Sequence, residues 1–109
     1  MDSLTGRVAL VTGASGIAAA TARRLVAAGA AVAIVGIDAD QVAGLEKDLN
    51  SLSGGRAIGV QCDLRSVEQT DAAFAACEEL FGPPDIVVAV AGGSGRRFGD
   101  GPIEDMTAD

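Results

Sequence analysis

At 109 residues, 49% of them hydrophobic and 3% aromatic, the chain has the material for one domain, 1–109, with a core of Ala, Val, Leu and Ile. Its net charge of −7 and pI near 4.3 exclude a general nucleic-acid or anionic-membrane surface, since either needs clustered Lys and Arg. Histidine and tyrosine are absent and Lys47 is the sole lysine, so a histidine base, a zinc–histidine centre and a Tyr–Lys pair are excluded within this sequence.

Val8–Thr12 (VALVT) is a short apolar run closed by Gly13, the pattern of a buried strand. From Gly16 to Ala28 the period becomes helical, with Ala18, Ala22, Leu25 and Val26 on one face and Arg23 and Arg24 off it; Gly29 stands where a helix ends. Ala31–Val35 (AVAIV) predicts a second buried strand. Ala39–Leu52 predicts a second helix, with Val42, Leu45, Leu49 and Leu52 inward, broken by Gly54-Gly55. Ala57–Gln61 is the third strand. Ser66-Val67-Glu68-Gln69 has the form of a capping box, which opens a helix with Val67, Thr70, Ala73, Phe74, Cys77 and Phe81 on its inner face. Gly82-Pro83-Pro84 ends it, and Asp85–Ala91 (DIVVAVA) is a fourth strand, apolar on both faces, before a Gly-rich loop from Gly92 to Gly101.

The order β-α-β-α-β-α-β with continuous apolar strands predicts an α/β fold. Its parallel sheet is doubly wound and Rossmann-like, with strand order 3-2-1-4. In such a sheet the turn after the first strand meets the ligand. Backbone N–H groups and the positive end of the next helix suit a pyrophosphate there. Gly13 allows the tight turn and Gly16 lets the backbone approach the phosphates. A lone G-x-x-G is weak by itself, and its ordinary alternative is a structural strand-to-helix turn; its place after the first strand of this run strengthens the ligand reading.

The whole chain resembles the N-terminal part of the short-chain dehydrogenase/reductase family. The resemblance rests on LTGRVALVTG, on Thr12-Gly13-Ala14-Ser15-Gly16-Ile17-Ala18, on Cys62-Asp63-Leu64 after the third strand and on Ala91-Gly92 after the fourth. The family's loop is T-G-x-x-x-G-x-G. Here one residue fewer separates the first two glycines, and Ala18 replaces the last, adding a methyl where the helix packs on the strand. The family's Asn-Asn-Ala-Gly is Ala89-Val90-Ala91-Gly92, and Gly36 occupies the position of the ribose-binding acid of NAD-preferring members.

The resemblance implies a dinucleotide ligand contacted by Gly13, Ser15, Gly16, Ile17, Asp38, Asp63, Leu64, Ala91 and Gly92. It implies NAD(H) ahead of NADP(H), since Ile37 and Asp38 follow the second strand with no Arg beside them. Asp38 has two readings, a ribose acceptor or a cap for the next helix. Asp63 also has two, an adenine contact or a solvated residue ahead of the Ser66 cap. Arg96 and Arg97 either meet an anionic substrate or only solubilise their loop. Cys62 and Cys77 make neither a disulfide framework nor a metal site, and Cys77 reads as inert core.

The family's chemistry uses a Ser, a Tyr and a Lys after the fifth strand, with an Asn in the helix before. None of these has a counterpart here, so no catalytic residue is assigned and no hydride transfer by this chain alone is expected. The function implied is the dinucleotide-binding N-terminal part of an NAD(P)-dependent oxidoreductase; the alternative is a free-standing nucleotide-binding or regulatory module. An adenosylmethionine-dependent methyltransferase is a more distant reading. A phospho-receiver lacks its acidic cluster at Val11-Thr12-Gly13, and a P-loop NTPase lacks its Gly-Lys-Ser/Thr step.

No apolar run reaches the ~18 residues of a membrane span. The N-terminus has no basic segment followed by a long apolar one, so a cytoplasmic setting is expected. The strand edge Ile86–Val90 is expected to self-associate or to take a completing chain, because no Pro or Lys blunts it.

Overall fold

A computed structural model describes residues 3–90. Seven elements alternate: β1 (Val8–Thr12), α1 (Gly16–Ala27), β2 (Ala31–Gly36), α2 (Ala39–Asn50), β3 (Ala57–Gln61), α3 (Val67–Leu80) and β4 (Ile86–Ala89). The strands form one sheet in the order β3-β2-β1-β4, with every pairing parallel. This is the expected doubly wound α/β sheet. Central β1 and β2 are almost wholly buried, which is why they carry continuous apolar runs rather than alternation.

Successive residues of a strand serve opposite faces, so the sheet feeds two cores. Ala9, Val11, Val32 and Ile34 pack with Ala18, Ala22 and Val26 of α1 and Leu45 and Leu49 of α2. Val8, Leu10, Ala33 and Val35 pack on the other side with Cys62 and with Ala73 and Cys77 of α3, flanked by Phe74 and Phe81. Thus α1 and α2 cover one face and α3 the other. Small residues set the spacing on the first face. A Cβ on Gly59 of β3 would fall 2.6 Å from Val42 Cγ1, so only glycine lets α2 lie this close.

Long-range bonds align the strands. Asp85 clamps the start of β4 to β1: its Oδ2 accepts from Val8 N at 3.0 Å, while its own N–H donates to Val8 O at 2.8 Å. At the outer edge the Asn50 side chain imitates a further strand, donating to Ala57 O at 3.0 Å and accepting from Ala57 N at 2.9 Å.

Four expectations are corrected. The second helix stops at Asn50 with Ser51 as its cap, so Leu52 lies in the following turn, 38% exposed and outside both cores. Val67 is 74% exposed, because as the first residue of α3 it stands beyond the end of the sheet. The Ser66–Gln69 box is half made: Ser66 Oγ accepts from Gln69 N at 3.1 Å, but Gln69 Oε1 accepts from Asp63 N at 2.8 Å rather than receiving Ser66. The fourth strand is shorter than Asp85–Ala91, and its two faces differ. Ile86, Val88 and Val90 pack on the first core, while Val87 is 55% exposed. Ala91, Gly92, Arg96 and Arg97 lie outside the described residues.

Candidate functional site

Parallel strands bring three βα turns to one edge of the sheet, the end where each strand finishes and each helix begins. The first turn is pinned on both sides. Thr12 is buried, and its Oγ1 accepts from Val90 N at 3.0 Å; Gly13 N donates to Val35 O at 2.6 Å. Gly13 has φ +108°, and a Cβ there would meet the Ala18 Cβ at 2.9 Å. The extra methyl of Ala18 is therefore accommodated directly against Gly13, and Ala18 itself is 1% exposed.

The shortened loop still delivers a helix N-terminus. Ser15 takes the extended N-cap conformation, yet its side chain makes no cap bond, and the first turn of α1 contains no acid. Gly16 has φ +60°, and the position its Cβ would occupy has nothing within 4 Å. The backbone of Gly16 thus faces open space beside N–H groups that Ser15 leaves uncapped, the arrangement an anionic group can use.

The second turn holds Gly36, Ile37 and Asp38. Asp38 Oδ1 accepts from Asp40 N at 3.0 Å and Gln41 N at 3.1 Å, so it is a helix cap, with both bonds on one oxygen. A Cβ on Gly36 would lie 3.0 Å from Val42 Cγ2 and 3.7 Å from the Ala14 Cβ, so a side chain there would be crowded by α2 and by the loop. In the third turn Asp63 is held by its neighbours. Its Oδ1 accepts from Arg65 N and Arg65 Nε, both at 3.0 Å, and its Oδ2 accepts from Arg65 Nη2 at 2.9 Å. The guanidinium holds the Asp63 carboxyl below the usual range, and Arg65 is correspondingly raised.

Large apolar side chains are exposed at this edge. Ile17 (73%), Ile37 (60%) and Leu64 (48%) each follow the end of a different strand. Exposed apolar groups along one edge suit a flat organic ring better than bulk water does. Ile37, Arg65 and Gln69 escape a reading of site residues from sequence. The place of Ile37 directly after a buried strand is the available signal; the partners of Asp63 have no signature beyond nearness in sequence.

Of the site residues read from sequence, the structure brings Gly13, Ser15, Gly16, Ile17, Asp38, Asp63 and Leu64 to one edge. The two cysteines are free and buried, and burial, with Glu78 adding to it, pushes the Cys77 thiol up. The edge can seat a ligand by N–H groups, apolar surface and two carboxylates. No described group there is placed as an acid–base pair.

A family model for short chain dehydrogenases matches residues 7–109. The chain belongs to the short-chain dehydrogenase family. It is 44% identical over 90 residues to cis-1,2-dihydrobenzene-1,2-diol dehydrogenase of Pseudomonas putida, covering 82% of this chain and 31% of that protein. It is 37% identical over 108 residues to an indene-carboxyl-CoA reductase of Mycobacterium tuberculosis, covering 97% of this chain and 40% of that one. Among solved structures, a short chain dehydrogenase from Mycobacterium smegmatis superposes with a TM-score of 0.79 at 36% identity, over 84% of this chain and 39% of that one. Actinorhodin polyketide ketoreductase, solved with NADPH, superposes with a TM-score of 0.74 at 41% identity, over 79% of this chain and 33% of that one. The chain therefore spans about a third of the length of these relatives. The family is one of NAD(P)-binding oxidoreductases, and no described helix is long and apolar enough to cross a membrane.

Proposed function

We propose that this chain is the dinucleotide-binding domain of an NAD(P)-dependent oxidoreductase, supplying the cofactor seat and no acid–base chemistry. One observation carries the reading: α1 begins without a side-chain cap, behind a glycine whose missing Cβ leaves open space. A pyrophosphate on the N–H groups of Gly16 and Ile17 would supply the missing acceptors. Ile37 and Leu64 would then flank the adenine. Asp63 would face its amino group, and the second oxygen of Asp38 would take a ribose hydroxyl while the first keeps the cap. The cofactor supplies the hydride when bound; the residues of this chain hold and orient it.

NAD(H) is the preferred form in this reading, because Asp38 repels a 2′-phosphate. Two buried free thiols suit a reducing cytoplasm. Among the described residues β4 pairs with β1 alone, and its other edge is suited to a second copy or to a completing chain.

Calorimetric titration with NAD+ and NADP+ tests the seat. Weak but saturable binding is expected, NAD+ the tighter. Inserting one residue after Ala14 together with Ala18→Gly is expected to tighten it, and an unchanged affinity would take the loop out of the site. Cofactor-dependent turnover by the pure chain would overturn the absence of catalysis. For the edge, light scattering of the chain is compared with Val87→Lys, which charges an exposed strand position without entering a core. A monomer unaffected by the substitution would remove the association reading.

A further inference from the structure

The described cations are distributed unevenly over the sheet. Arg7 and Arg56 precede β1 and β3, at the edge opposite the candidate site. Arg24 and Lys47 lie in the last turns of α1 and α2, again at the far end, and Arg23 reaches sideways to Asp48 at 3.7 Å. Arg65 alone among the described cations follows a strand and precedes a helix at the site edge.

That cation is not idle. Its backbone N–H, Nε and Nη2 all donate to the one carboxylate of Asp63, and its side chain is still 85% exposed. The surrounding loop holds the pair in place: Gln69 Oε1 accepts from Asp63 N, and Ser66 N donates to Asp63 O at 2.9 Å. The loop also lies close to the second turn. Cys62 N donates to Gly36 O at 2.7 Å, and Gln61 Nε2 donates to Ile37 O at 3.2 Å. A ribose at Ile37–Asp38 would therefore lie on the turn next to the one that carries Arg65.

We propose that the Asp63–Arg65 pair determines cofactor specificity, by withholding from a ligand's 2′-phosphate the single described cation at the site edge. The inference rests on the dinucleotide reading above and deepens it. A guanidinium laid on a carboxylate through Nε and Nη2 has that edge filled and its charge neutralised, so a 2′-phosphate must either break the bidentate pair or settle for the remaining Nη donors of a pair with no net charge. A ligand with a free 2′-hydroxyl makes no such demand. Exclusion of the 2′-phosphate then comes from two carboxylates, Asp38 by repulsion and Asp63 by occupying Arg65.

The test compares 5′-AMP with 2′,5′-ADP on the chain by calorimetry, and reads the ratio of their dissociation constants. Whatever Asp63 gives to the adenine is common to both ligands and cancels in that ratio. Asp63→Asn is expected to move the ratio toward 2′,5′-ADP by about two- to five-fold, the scale of an exposed ion pair. Asp63→Asn/Arg65→Ala is expected to return it to the parent value, and Arg65→Ala alone, which bares the Asp63 charge, not to move it toward 2′,5′-ADP. A ratio unchanged by Asp63→Asn overturns the proposal. So does a shift that persists in the double variant, which would come from removal of the Asp63 charge alone. If neither nucleotide binds, the site reading falls and this inference with it; if both bind with an unmoved ratio, only this inference falls.

Discussion

At the start of α2 the Asp38 carboxylate takes two backbone N–H groups, and at the start of α3 the Ser66 hydroxyl takes one. At the start of α1, on the same edge of the same sheet, Ser15 adopts the backbone shape of a cap and makes no cap bond. All three helices face the same problem, since the first turn of any helix leaves N–H groups without internal partners. Two solve it with their own side chains and gain stability. The third leaves it to water or to a ligand. The same contrast appears in the acids: Asp40 and Glu68 occupy the first turns of α2 and α3, where they favour the helix dipole, and α1 has none. Forgone stabilisation in one of three equivalent places supports the proposed phosphate seat, independently of the loop's glycine spacing.

The sharpest way to break this contrast is to give α1 the cap it lacks. Ser15→Asp places a carboxylate where the pyrophosphate is proposed to sit. Two effects of opposite sign are expected. The free chain gains about 0.5–1 kcal/mol from the cap and the dipole, measured by urea denaturation. Affinity for NAD+ falls by roughly ten-fold or more, about 1.4 kcal/mol per decade, measured by calorimetry. Undiminished binding in a more stable variant would place the phosphates elsewhere.

A smaller effect sharpens the same comparison from the other side. Asp38→Ala and Ser66→Ala are each expected to lower stability by about 1 kcal/mol, because each removes a working cap. Ser15→Ala is expected to change stability by no more than about 0.5 kcal/mol, as for a surface position without partners. Urea midpoints of the three variants at a common slope give the ranking. Equal losses at all three positions would mean that Ser15 caps α1 in solution and that the helices are alike.

How much of this is legible in sequence depends on the range of the interaction. VALVT closed by Gly13 announces a strand because apolar run length and breakers are local signals. The order of the sheet follows from the alternation of strands and helices with right-handed crossovers. Periodicity misplaces Val67 because it assigns a helix face without saying where the helix overhangs the sheet. It misplaces Leu52 because a turn residue can continue an apolar period by accident. Gln69 fits a capping box by spacing, but an amide oxygen serves any nearby N–H, and Asp63 N is the one it meets. The Asp85–Val8 and Thr12–Val90 bonds join residues 77 and 78 positions apart and have no local signature. At the site, the glycine spacing points to the first βα turn, whereas the capping by Asp38 and the pairing of Asp63 emerge only in three dimensions.

The smallest expected effect concerns the third turn, where a carboxylate is satisfied from outside its helix rather than at its cap. Asp63 is bonded by the Arg65 side chain first and by the Arg65 N–H second, and both depress its proton affinity in the folded state relative to the ordinary carboxyl value of 3.8. A folded-state value below the unfolded one means that the unfolded chain binds the proton more readily. The pair therefore adds its stability in full above pH 3.8 and loses it as pH falls through the lower, folded value. Because the pair lies at the surface, with the Arg65 side chain 85% exposed, the change in stability is expected to be slight, and the titration itself is the better readout. Carbon-detected NMR of the Asp63 carboxyl should give a midpoint below 3.8 in the parent chain and a higher one in Arg65→Ala. A midpoint of Asp63 that ignores the loss of Arg65 would show that the guanidinium is not held on the carboxylate in solution, and that the third turn, like the first, leaves its polar groups to solvent or ligand.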